Sequence, residues 1–147
     1  MEIVDYIGNK DILKLHKTAF FCSRKIISSI VLECYDWAIE QRNKGNCVIS
    51  GFHSAIEKDV FHFLAKGNQP IIMVLHKGLK ENWEPEIQKL LDANRLLIIT
   101  PFDKSVKWGS EETGKQRNQF TLSLAKEIKV GYISPGGNLG KLGLYNK

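Results

Sequence analysis

Apolar and polar positions fall along this chain in alternating blocks. Residues 18–23, "TAFFCS", are a short apolar, aromatic-rich run that reads as a strand. Over 28–45, Ile30, Val31, Cys34, Trp37 and Ala38 recur at helical spacing, and Gly45 supplies the glycine that commonly ends a helix. "CVIS" (47–50) predicts a second strand. Over 55–67, Ile56, Val60, Phe63 and Leu64 share one helical face before Gly67. "PIIMVL" (70–75) is apolar throughout and predicts a third strand. "EPEIQKLLDAN" (84–94) opens with a proline and acids, as helix starts prefer. "LLIITP" (96–101) predicts a fourth strand. A helical pattern then runs from about Glu112 to Glu127, with Phe120, Leu124 and Ile128 one turn apart, and "KVGYIS" (129–134) predicts a fifth strand.

Strands that are apolar end to end must be covered on both faces, and helices between them supply the cover. The pattern predicts an α/β fold: one domain over 1–147, with a doubly wound, mainly parallel, Rossmann-like sheet of about five strands. The strands are expected at 18–22, 47–50, 70–75, 96–100 and 129–133. A short glycine-rich tail, "PGGNLGKLGLYNK", follows.

Composition narrows the class. A chain of 147 residues can bury a real core as one domain, and 43% apolar with 25% charged residues excludes a disordered chain. No apolar run is long enough to cross a membrane. The N-terminal "MEIVDYIGNK" is acidic and has no apolar segment, so it does not read as a secretory signal, and a cytoplasmic location is expected. Cys22, Cys34 and Cys47 are odd in number, widely spaced and set in apolar contexts, which points to buried thiols. His16, His53, His62 and His76 lack zinc-ligand spacing, so no structural metal is expected. A net charge of +5 permits a polyanionic partner without demanding one.

The candidate chemistry lies after the strands, where open α/β sheets bind ligands. The segments are "CSRK", "SGFHS", "HKG", "TPFDK" and "SPGG". Ser23, Ser50 and Ser134 stand at sharp turns, and Gly51, Gly136 and Gly137 let backbone approach a ligand. Arg24 follows Ser23, and Arg117 and Asn118 lie near the start of the last helix. Serines, glycines and arginines at one rim suit a phosphate-bearing ligand. Ser54 and Glu57 have capping-box spacing and read as structural. No G-x-G-x-x-G, P-loop lysine or nucleophile elbow is present, so no bound cofactor is expected and catalysis is not evident. His53 has no evident nucleophile beside it and reads as a half-buried loop histidine. Trp37 and Trp83 read as packing residues, and Trp108 as a surface on which a base could stack.

In order along the chain, "YIGNKDILKL" (6–15), "CSRK" (22–25), "SGFHSAIE" (50–57), "RNQF" (117–120) and "SPGG" (134–137) resemble the Rossmann-like core of the DNA-processing protein A (DprA/Smf) family. That core sits within a superfamily that includes the lonely-guy phosphoribohydrolases. The resemblance implies single-stranded DNA binding during uptake and processing of foreign DNA, help in loading a recombinase, and self-association as a homodimer. It makes Arg24 the phosphate-facing arginine, with Ser23, Ser50, Gly51, Arg117 and Asn118 around one pocket. Ser54 stands where the family carries arginine, Ala55 replaces its glycine, and Glu57 its aspartate. After "SPGG", Leu142 and Gly143 stand where the lonely-guy enzymes keep catalytic glutamates, which predicts no phosphoribohydrolase activity. Two alternatives stay open: a nucleotide-processing enzyme using Glu57 or Glu111, and a module that senses a small nucleotide.

Overall fold

The computed structural model describes residues 1–23, 28–137 and 139–144. Six strands form one sheet: β1 (Asp5–Gly8), β2 (Lys17–Phe21), β3 (Cys47–Ser50), β4 (Ile71–Val74), β5 (Leu96–Thr100) and β6 (Glu127–Val130), in the order β1-β5-β4-β3-β2-β6. Four helices join them: α1 (Ser28–Lys44), α2 (Ala55–Ala65), α3 (Pro85–Asp92) and α4 (Glu111–Leu124). The ladder from β5 through β4, β3 and β2 to β6 is parallel. The mainly parallel Rossmann-like sheet is therefore present, with six strands rather than five.

The extra strand is β1, which pairs antiparallel with β5, Tyr6 opposite Ile99 and Ile7 opposite Ile98. Its four residues alternate between exposed and half-buried positions, so no apolar run announces it. It exists because it satisfies the outer edge of β5. The second difference lies at the last crossover. Ile128 continues the helical spacing of Phe120 and Leu124, yet α4 stops at Leu124. Lys126 N–H donates to Lys17 O at 2.9 Å, and Ile128 pairs beside Ala19 in the parallel ladder with β2. An apolar residue four positions on suits either state, and the hydrogen bonds of the sheet decide it.

Side chains alternate strictly across the central strands, and each face has its own core. Phe20, Val48, Ile71, Met73, Leu96 and Ile98 pack under α1, α2 and α3 with Cys34, Ala38, Val60, Leu64 and Leu90. Ala19, Phe21, Ile49, Ile72, Val74, Leu97 and Ile99 pack with Phe120, with Ile12 of a short 3-10 turn, and with Leu139 of the tail. All three cysteines are buried, as their apolar contexts imply. Trp37 stacks on Phe20, with ring centroids 5.2 Å apart, and Trp83 packs at the edge of the first core. No helix among the described residues is long and apolar enough to cross a membrane. The winding reverses at β2: β3, β4 and β5 add on one side of it and β6 on the other. A crevice opens at the carboxyl ends of the strands around that reversal, where open sheets of this kind place their ligands.

Candidate functional site

The crevice has a volume of about 840 Å³. Its walls come from the segments after β2, β3, β4 and β6 and from the first turns of α4. The parallel strands deliver their carboxyl ends to one rim, so residues more than a hundred positions apart meet there. Ser23 Oγ accepts a 2.8 Å hydrogen bond from Ser134 N–H, and Ser23 N–H donates to Tyr132 O at 2.7 Å. These two contacts lock the end of β2 to the segment after β6.

Of the residues singled out from sequence, Ser23, Arg117, Asn118, Ser134, Gly136 and Gly137 line the crevice together. Arg24 lies outside the described residues. Ser50 does not line it: the side chain is fully buried, and its Oγ accepts from Phe52 N–H at 3.1 Å to shape the turn after β3. Gly51 stands behind the wall and acts through space it leaves empty. A Cβ on Gly51 would fall 2.3 Å from Arg117 Nη1 and 2.5 Å from Cζ, so the guanidinium rests where any other residue would place a side chain.

Arg117 is the main electrostatic feature. It is 5% exposed, and burial holds its pKa below the usual arginine value while Glu57 opposes that shift. Its Nε donates to Asn118 Oδ1 at 2.7 Å. No carboxylate among the described residues lies within ion-pair distance of it. A buried cation held, among the described residues, by one neutral acceptor is costly, and an incoming anion relieves that cost.

Glu57 is buried too, and it is fully engaged. One carboxylate oxygen accepts from Cys22 N–H at 3.0 Å, and the other from His53 N–H at 2.9 Å and Ser54 N–H at 3.2 Å. Ser54 Oγ in turn accepts from Glu57 N–H, so the capping box expected at the start of α2 is formed. The carboxylate thus fills the anion position at that helix N-terminus and ties the end of β2 to the turn before α2. Glu111, the other carboxylate of the enzyme alternative, is the first residue of α4 and lines the crevice.

Sequence reading attached no chemistry to His76, Gly109 or Tyr132, all of which line the crevice. The signal for His76 was its place directly after the third strand. Cys22 also lines the crevice, but the neighbouring Cys34 thiol and burial push its pKa up, so it stays a neutral thiol. His53 is half-buried in the turn before α2. Trp108 is 83% exposed beside the lining residue Gly109, at the rim.

No protein-family model matches the sequence, and no curated protein matches it. Solved structures do match. DNA processing protein A from Helicobacter pylori superposes with a TM-score of 0.74 at 16% identity, over 91% of this chain and 62% of that one. That structure reports a single-stranded DNA binding mode. DNA processing protein A from Streptococcus pneumoniae also gives 0.74, at 19% identity, over 90% of this chain and 47% of that one. The chain shares its fold with DNA processing protein A. It spans less than two thirds of the length of either neighbour.

Proposed function

We propose that the crevice binds the phosphate backbone of single-stranded DNA, with the Arg117 guanidinium as the buried cation that meets a phosphate. The observation that carries this reading is Arg117 itself: almost wholly buried, seated in the space left by Gly51, and without a carboxylate partner among the described residues. Ser134 supports it. Its Oγ is buried against the crevice and has no hydrogen-bond partner among the described residues. Gly136 and Gly137 keep the same wall low, and Gly136 adopts a φ of 75° that favours glycine. The Helicobacter pylori neighbour binds single-stranded DNA, and the excess of basic residues here suits the same class of partner. Arg24, one residue beyond Ser23, is the second cation of this reading. The reading includes a role in DNA uptake or processing, in the cytoplasm.

A small nucleotide is the second reading, favoured by the enclosed position of Arg117, which one terminal phosphate could reach. The phosphoribohydrolase alternative has less support, because both carboxylate oxygens of Glu57 are already held by backbone amides.

The test is anisotropy of a labelled single-stranded oligonucleotide across a salt series. Each phosphate neutralised contributes roughly −0.7 to the slope of log affinity against log salt. Two arginines plus a lysine or two give a slope of about −2 to −3. Arg24→Ala should weaken binding by about 1.5–3 kcal/mol and flatten the slope, since one charged hydrogen-bond set is lost. Lys80→Ala is the control, because Lys80 pairs with Glu84 away from the crevice. Equal effects of the two variants would make the charge merely diffuse. No binding at low salt would overturn the nucleic-acid reading and leave the nucleotide one.

A further inference from the structure

The crevice holds two imidazoles that the phosphate contact just described does not use. His53, in the turn after β3, and His76, in the turn after β4, bring their ring centroids to 4.7 Å, and both line the crevice with Arg117. His76 is seated against main chain: a Cβ on Gly109 would fall 1.9 Å from its Nε2, so the ring occupies room that only glycine leaves. Each element around the ring brings a charged or titratable group. Arg117 comes from α4, His53 from the turn before α2, and Lys77 from the same turn as His76. Glu57 and Glu111 also line the crevice, Glu57 with both oxygens on backbone amides. Burial, then Arg117, His53 and Lys77, push His76 down to about 4, so the ring is neutral near pH 7.

We propose that His76 is a second phosphate-contacting residue of this crevice, taking up a proton as a phosphate group seats against Arg117. The proposal rests on the phosphate reading of the crevice and adds a residue and a proton to it. A neutral ring spares the crevice a further buried cation beside Arg117. A bound phosphate cancels the repulsion from the guanidinium and adds its own attraction. The protonated ring then donates a charge-assisted hydrogen bond to the phosphate. By linkage, a ligand that raises the pKa of a group binds more tightly as pH falls toward that pKa. If His76 returns to the ordinary histidine value of about 6.5 in the complex, affinity rises roughly tenfold between pH 7.5 and pH 5.5.

The experiment uses a short labelled oligothymidylate with a 5′ hydroxyl, so that the probe itself does not titrate in this range. Anisotropy at constant low salt gives affinity against pH. Calorimetry near pH 6, in two buffers of different ionisation enthalpy, counts protons taken up. Histidine ring resonances, with and without the probe, give the pKa of His76 directly in the wild-type protein. We expect the tenfold rise, uptake of a fraction of one proton, and a His76 resonance that titrates near 4 free and near 6.5 bound. His76→Gln should change affinity less than twofold across the same pH range. Firm binding with a flat pH profile and no proton uptake would overturn this proposal and leave the phosphate reading standing. So would a His76→Gln variant that keeps the tenfold dependence. No binding at any pH overturns both. Should His76→Gln fail to fold, the ring titration of the wild type decides alone.

Discussion

Consider Arg117→Met. The substitution keeps an unbranched side chain of similar reach and removes the charge. In the free protein the guanidinium is 5% exposed, donates its Nε to Asn118 Oδ1, and has no carboxylate at ion-pair distance among the described residues. A buried ion costs several kcal/mol of lost hydration. The charged hydrogen bond returns about 1.5–3 kcal/mol, and the field of Glu57 returns some more. Asn118 lines the crevice, so water can satisfy its freed oxygen in the variant. Replacing buried charges by apolar groups of similar volume commonly stabilises by about 1–4 kcal/mol. The lower end applies here because one hydrogen bond goes with the charge. We expect a gain of about 1 kcal/mol, or roughly 2–4 °C in melting temperature for a chain of this size. Denaturant titration with and without the oligonucleotide measures both consequences. The variant should unfold at higher denaturant alone, and lose the shift to still higher denaturant that the ligand gives the wild type. A variant less stable by more than about 1 kcal/mol that still binds would refute the reasoning, because Arg117 would then be a structural residue.

Three further outcomes follow. Arg95 donates to the carbonyls of Leu64, Ala65 and Gln69 at 3.0–3.3 Å, closing the C-terminal end of α2, so Arg95→Ala should destabilise by about 2–3 kcal/mol in the same denaturant assay and leave the salt slope of binding unchanged. Trp108 is 83% exposed, so Trp108→Ala should leave stability within about 0.5 kcal/mol. If a base stacks on it, the same change weakens oligonucleotide binding by about 1–3 kcal/mol, read by anisotropy. His76 titrates near 4 folded and near 6.5 unfolded, so between those values the unfolded chain binds more protons. Its contribution to stability is therefore complete above about pH 6.5 and is lost as pH falls toward 4. His76→Gln should flatten that part of a stability-against-pH curve measured by thermal melting.

The order of apolar runs and amphipathic helices determined the layers, because a strand apolar on both faces, such as Leu96–Thr100, has no stable place except between two covered faces. It also located the rim: a parallel sheet must deliver Ser23 and Ser134 to one end, whatever the details of packing. Local chemistry carried the capping box of Ser54 and Glu57, since that bond spans only three residues. What the sequence could not decide depended on partners remote along the chain. Asp5–Gly8 becomes a strand only because β5 offers a free edge, and Ile128 leaves the helical pattern only because β2 offers hydrogen bonds. Ser50 and Ser23 look alike at the carboxyl ends of their strands, yet one folds into its own turn and the other ties β2 to the segment after β6. The meaning of Gly51 and Gly109 was invisible for the same reason. Each is defined by the side chain that occupies its empty Cβ position, Arg117 in one case and His76 in the other. Burial and neighbouring charge, which give those two residues their chemistry, are properties of the assembled rim and of no local stretch of the chain.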